Sequence, residues 1–282
     1  MAAAGVPTTD QRLFLIERLR RRGVSARTTA ELLSHAVDGV SLRTTKSATM
    51  SRLGGDAPLL PGEAWPVNRR NQDPMTLVAV FDLAELHAPL PLPPDGRLVL
   101  FWDAVGADKG SDAWLDVAAN ASVRWLAPEV STVDVPVPAA AWPFAPVSVK
   151  GVVTPIIGGI DFQLGEPLPG SARSVAIVDD MIFPFAHAAY SSDQLLGASQ
   201  DIQGPVLEEI AYWFRHTSNA DSRARYTADE RKGKGWSLLA QVASTGGKDF
   251  RIDDYGNVSF AVPTADLYAR RFDRAVAIFQ SS

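Results

Sequence analysis

The chain has 282 residues, 46% of them apolar and 21% charged, which is enough to bury one large core or two smaller ones. A net charge of −5, with no second basic cluster beyond Arg18, Arg20, Arg21 and Arg22, argues against a nucleic-acid partner. With no cysteine, thiol nucleophiles, thiolate metal sites and disulfides are all excluded.

Residues 1–7 lack the charged and apolar regions of a signal peptide. The longest uncharged stretch, Val135 to Val149, holds Pro136, Pro138, Pro143 and Pro146 and cannot be a membrane helix. A cytoplasmic protein with no membrane partner is the resulting expectation.

In chain order, Thr8 or Thr9 caps a helix whose apolar stripe is Leu13, Phe14, Ile16 and Leu19, and Gly23 ends it. A short helix over Thr28 to Ala36 and a strand over Val40 to Thr44 follow. The stretch from Ser51 to Pro66 packs Gly54, Gly55, Gly62, Pro58, Pro61, Pro66 and Trp65 into a loop-rich surface. Leu77 to Phe81, apolar on both faces, reads as a central strand, Asp82 to Leu86 as a helical turn, and Arg97 to Trp102 as the returning strand. Further strands fall at Ser122 to Leu126, Thr132 to Pro136 and Val147 to Val153. Gln203 to Phe214 reads as a helix with Leu207, Ile210 and Phe214 on one face, and Ser218 to Lys234 as a polar loop.

The C-terminal part repeats the earlier pattern. Trp236 to Val242 and Asn257 to Val262 form strands around an Asp253 to Gly256 turn. Ala265 to Ala269 makes a helical turn, and Ala275 to Phe279 closes the chain as a strand. Ala79 aligns with Ala240, Gly96 with Gly256, and Gly54 to Pro58 has a faint echo in Gly197 to Asp201. This reads as duplication of a strand–turn–strand unit; chance similarity of two hairpins is the competing explanation. The expected fold is α+β and strand-rich, with mostly antiparallel sheets and short peripheral helices. Its organisation is an N-terminal helical segment (1–39) and one α+β domain (40–282), with halves at about 40–165 and 166–282.

Ser51 to Gly55, Pro58, Leu60-Pro61, Trp65-Pro66, the strand at Leu77, and Leu92-Pro93 followed by Gly96 to Phe101 occur in a characteristic order. So do Leu195 to Gly197, Ile202-Gln203, Leu238 to Gln241, Asp254 to Gly256, Asp266-Leu267, Arg270 to Phe272 and Gln280. In this order the chain resembles the YwqG-like family, a bacterial domain family of unknown function, over about residues 40–282. It departs from the pattern at Arg251 to Asp253 and at Ala198-Ser199. The resemblance implies no reaction, cofactor or catalytic residue.

Searching for chemistry by residue type gives little. The four histidines, His35, His87, His187 and His216, lack metal-site spacing, and no nucleophile elbow exists. Gly246 to Asp249 fails as a phosphate loop, and Gly233 to Gly235 as a dinucleotide fingerprint. Asp179-Asp180 and Asp253-Asp254 are adjacent carboxylates that point to opposite faces if extended, and they read as loop or turn pairs. No metal and no cofactor are expected, and no catalytic residue is assigned. A ligand or partner site is expected near Arg52, Trp65, Gln203 and Gln241, because these carry contact chemistry within the motifs. Gln241 and Gln280 sit in apolar strands, where their amides need either backbone or a ligand. Two functions stay open. One is a non-enzymatic binding or protein-interaction module. The other is a metal-independent enzyme or small-ligand protein of hydrolase or isomerase type, using Asp, Glu, Gln and Arg.

Overall fold

The computed structural model describes residues 8–105, 117–158, 193–216, 233–244 and 256–281. Asp179, Asp180, Asp253, Asp254, His187 and the 246–249 turn lie outside them.

The strands are β1 (Ala36–Thr44), β2 (Arg52–Leu53), β3 (Ala57–Leu59), β4 (Thr76–Asp82), β5 (Arg97–Trp102), β6 (Ala121–Leu126), β7 (Val133–Val135), β8 (Val147–Ile157), β9 (Gln194–Leu196), β10 (Trp236–Ala243), β11 (Asn257–Pro263) and β12 (Val276–Gln280). Among the described residues four α-helices accompany them: α1 (Thr8–Arg21), α2 (Ala26–Ser34), α3 (Val206–His216) and α4 (Thr264–Tyr268). Ten strands form one sheet in the order β12-β11-β10-β9-β1-β8-β2-β4-β5-β6, while β3 and β7 pair separately. Every described pairing is antiparallel, so the architecture is the strand-rich α+β arrangement expected.

The strand order reads as two five-stranded halves meeting at β1 and β8. In the β4–β5 hairpin Leu77 faces Phe101, a bulge follows, and Ala79 faces Leu100. In β10–β11 Leu238 faces Ala261, a bulge follows, and Ala240 faces Phe260. The two hairpins therefore share one register, bulge included, as duplication requires. Their inner neighbours match as well. Leu53 of β2 faces Ala79, and Leu195 of β9 faces Ala240. Gly54 (φ 62°) and Gly55 (φ 79°) then correspond to Leu196 (φ 55°) and Gly197 (φ 85°). Two consecutive left-handed residues turn the chain at both places, one of them a leucine that ordinarily avoids this region. The faint echo read from the sequence is thus displaced by one residue, because Leu196 rather than Gly197 takes the place of Gly54.

The central strands are exchanged between halves: β1, from early in the chain, pairs with β9, while β8 pairs with β2. One side of the sheet carries a core contributed by both halves, including Leu53, Phe81, Leu98, Leu100, Leu195, Val258, Phe260 and Phe272. The sheet's two ends approach each other on that side. The amide of Asn120 donates to Ala277 O at 3.0 Å, and Trp102 stacks on Phe279 at 5.4 Å. On the opposite side each half has its own cover. The β3–β7 pair and Trp65 lie over Leu77, Val80, Val99 and Phe101, and α3 lies over Ala261, Val276 and Ile278.

The strand expected at 132–136 is β7, which pairs with β3 in the small sheet. Two sequence expectations need adjustment, both about which helix face is buried. Leu13 and Phe14 of α1 are exposed while Leu19 is buried, so only part of the expected apolar stripe is covered. On α3, Ile210 is buried but Phe214 is exposed, its ring edge-on to Trp236 at 5.0 Å.

Candidate functional site

Two of the four residues expected at a site lie in each half of the sheet. Arg52 is on β2 and Gln241 on β10, four strand steps apart, or about 19 Å at the usual spacing. Trp65 is half-buried; its indole N–H donates to Met75 O at 2.8 Å and its ring meets Phe101 edge-on at 5.6 Å. The Arg52 guanidinium donates to Asp56 O, and partial burial lowers its pKa from the ordinary arginine value. Gln194, the counterpart of Arg52, makes the counterpart bond, donating to Ala198 O at 2.9 Å. Both side chains brace the left-handed turn that follows their own strand.

Gln241 is fully buried and its amide is occupied. Its Oε1 accepts from Gln200 N at 3.0 Å and its Nε2 donates to Gln200 O at 2.9 Å. Asn257 donates to the same Gln200 O, at 3.0 Å. Gln280 accepts from Ile202 N at 2.8 Å, and donates to Gly204 O at 2.8 Å and to Glu209 at 3.0 Å. Residues 197–205, a strap with no strand partner, are held to the sheet by these amides. In the first half the positions of Gln241 and Gln280 are taken by the apolar Val80 and Leu126 and that of Asn257 by Arg97, and there the strap becomes β3 and satisfies its backbone through β7. Polar side chains in the second half do the work of a missing strand. Gln203 itself is exposed on this strap, while Ile202 and Gly204 on either side of it are tied down.

Asp193 is buried at the start of β9, where burial raises its pKa to about 7. Its Oδ1 accepts from Ala243 N at 2.8 Å. Glu209 is likewise pushed up by burial, opposed by its bond to Gln280. No group of three or more His, Cys, Asp or Glu among the described residues is placed to hold a metal ion. No helix among them is long and apolar enough to cross a membrane.

A concavity of about 640 Å³ lies between the end of α2, the strap, β10 and α4. Its lining includes His35, Asp38, Asp201, Glu208, Trp236 and Ser237, and no Lys or Arg among the described residues. Leu90, Val37 and Tyr268, exposed by 85%, 50% and 70%, belong to the same lining and give it an apolar rim open to solvent. Asp38 is paired with Arg12 of α1 at 2.9 Å. The Asp201 carboxylate accepts from Val206 N at 3.3 Å and starts α3 at the groove's edge. None of the four residues singled out from the sequence lines this groove, and Asp193 does not either. The sequence marks this region through the motif residues Leu196, Gly197, Leu238 and Leu267, through the departure at Ala198-Ser199, and through Asp201 ahead of Pro205, a helix-start signal, but nothing in it brings them together as one groove.

The chain belongs to the family described as a domain of unknown function (DUF1963), whose model matches residues 51–281. Among curated proteins, none matches it. The matched range begins at Ser51, so β1, which sits between β9 and β8 at the centre of the sheet, lies outside it.

Proposed function

We propose that this family member is a non-enzymatic, cytoplasmic binding module that holds a short segment of a protein partner in the groove beside α2 and α4. The observation that carries the reading is the exposed apolar rim of Leu90, Val37 and Tyr268 around a concavity of mixed polarity. Small-molecule sites ordinarily enclose most of their ligand, whereas an open groove with apolar anchors suits a peptide. We also read the chain as YwqG-like, supported by the order of its motifs from Ser51 to Gln280. Arg52, Trp65, Gln203 and Gln241 then belong to the scaffold that shapes the strap and its counterpart. A metal-independent enzyme is the alternative. The carboxyl titrating near neutrality, Asp193, lies outside the groove and caps a backbone amide, which gives that alternative little support.

Peptide display against the protein, with counter-selection on the Leu90→Ser/Tyr268→Ser double variant, tests the reading. Selected peptides should bind the double variant at least about tenfold more weakly, the loss of two apolar anchors. Peptides indifferent to both substitutions would remove the groove as the site.

A further inference from the structure

The groove lies in one half of the pseudo-symmetric sheet, and the other half shows what occupies the equivalent place. Leu53 faces Val147 and its counterpart Leu195 faces Val40, so Val147 and Val40 are equivalent. Counting back equally from each, Ala141, which ends the turn Ala139–Ala141, corresponds to Ser34, which ends α2. On the facing strands Thr76 corresponds to Ser237.

In the first half the Thr76 hydroxyl donates to Ala141 O, and both residues are buried. In the second half Ser34 is exposed and its hydroxyl turns back to Glu31 O at 2.6 Å. The space between His35 and Ser237 is left as groove. Ser237 instead shares a 2.9 Å hydrogen bond with the Thr264 hydroxyl, and both residues line the groove. Two hydroxyls carry two protons and their mutual bond uses one, so the pair retains a donor.

We propose that the groove receives a short turn of small residues from a protein partner, seated as Ala139–Ala141 is seated in the first half. A backbone carbonyl of that turn accepts from the Ser237–Thr264 hydroxyl pair. The proposal rests on the groove's reading as a peptide site and narrows its ligand. Ala141 is fully buried in its seat, so the residue delivering the carbonyl must be small.

The test is an NMR titration of the full chain with the synthetic peptide Pro-Val-Pro-Ala-Ala-Ala-Trp-Pro-Phe-Ala-Pro, the sequence of residues 136–146. A control peptide carries glutamate at the three alanines. The alanine peptide should shift the amides of Ser237, Leu238 and Tyr268 saturably, and the glutamate peptide should not. Ser237→Ala should weaken binding about threefold to tenfold, the loss of one hydrogen bond. Absence of these shifts at millimolar peptide, or an affinity unchanged by Ser237→Ala, overturns the proposal. If display selection still returns groove binders that depend on Leu90 and Tyr268, the peptide-site reading stands and only this ligand assignment fails. If neither experiment finds a groove binder, both fail.

Discussion

Asp193 stands where the other half of the sheet places Ser51, and the two side chains perform the same task. The Ser51 hydroxyl accepts from Asp82 N at 3.0 Å, and the Asp193 carboxyl accepts from Ala243 N at 2.8 Å, each at the end of its half's matching strand. Their backbones correspond too: Ser51 O accepts from Val149 N and Asp193 O from Leu42 N. In both halves the side chain at this position accepts from the backbone at the end of the matching strand.

The substitution of acid for hydroxyl carries a pH cost. Burial raises the Asp193 pKa to about 7, against about 3.9 in an unfolded chain. Below the unfolded value both states are protonated and nothing is lost. Between about pH 4 and 7 the unfolded chain releases the proton while the folded one retains it, so stability falls as pH rises. Above about pH 7 the loss is complete, with an upper bound of about 4 kcal/mol. Asp193→Asn keeps an acceptor oxygen and should gain on wild type across that window. Denaturant titrations at pH 5, 6, 7 and 8 check this; a difference between the two proteins that does not vary with pH rejects it.

The strap makes a separable prediction. Gln241 holds Gln200 by both its N–H and its carbonyl, whereas Gln280 holds Ile202 and Gly204. Gln241→Leu should cost about 2–3 kcal/mol, since it strips partners from buried backbone groups. Hydrogen exchange should accelerate at the Gln200 amide before that of Ile202. Gln280→Leu should reverse the order. Equal acceleration at both amides in either variant would mean that the strap opens as one unit.

These contacts also mark where reading the sequence ran out. Both hairpins were legible, because Leu77 to Phe81 and Leu238 to Val242 are apolar runs with matching partners after a glycine turn. The pairing of halves was legible only around those hairpins. Leu196 in a left-handed conformation hid the match between Gly54 and its counterpart, and nothing local reveals that β1 and β8 trade places. Buried glutamines at 241 and 280 were evident as apolar-strand residues, but residue type cannot say whether an amide meets backbone or ligand. The groove depends on where α2 stops relative to β10, a tertiary relation with no local signature.

Trp65 closes the cover over the first half. Its ring packs on Phe101 and its N–H reaches Met75 O, yet part of it faces solvent. Trp65→Phe keeps the ring contact and loses the hydrogen bond, which should cost about 1 kcal/mol. Trp65→Ala removes both and should cost about 3 kcal/mol, the lower part of the range for buried aromatics. Denaturant unfolding of the pair measures the step between them. Equal effects would assign the whole contribution to the indole N–H.

Gly39 supplies the most demanding contact in the sheet. It faces Leu196 across β1 and β9, beneath the left-handed turn. A Cβ built there would lie 2.8 Å from both Gly197 N and Leu195 O, and 2.9 Å from Ile156 Cδ1. The isoleucine tip can move, but the two backbone atoms are fixed by the turn and by strand pairing. The equivalent position in the first half is Pro146, which does carry a Cβ, and there Gly55 is the neighbour that leaves room. One glycine at each crossing is therefore the minimum, and the second half has used two, at Gly39 and Gly197. Gly39→Ala forces the β9 turn away from β1 and should destabilise by about 3 kcal/mol or more, the cost of strain in a packed core. It should also loosen the Gln200 amide in hydrogen exchange, because the strap begins at this turn. A variant within half a kcal/mol of wild type would show that the turn can shift freely, and would weaken the case for a rigid groove floor at Leu196 and Gly197.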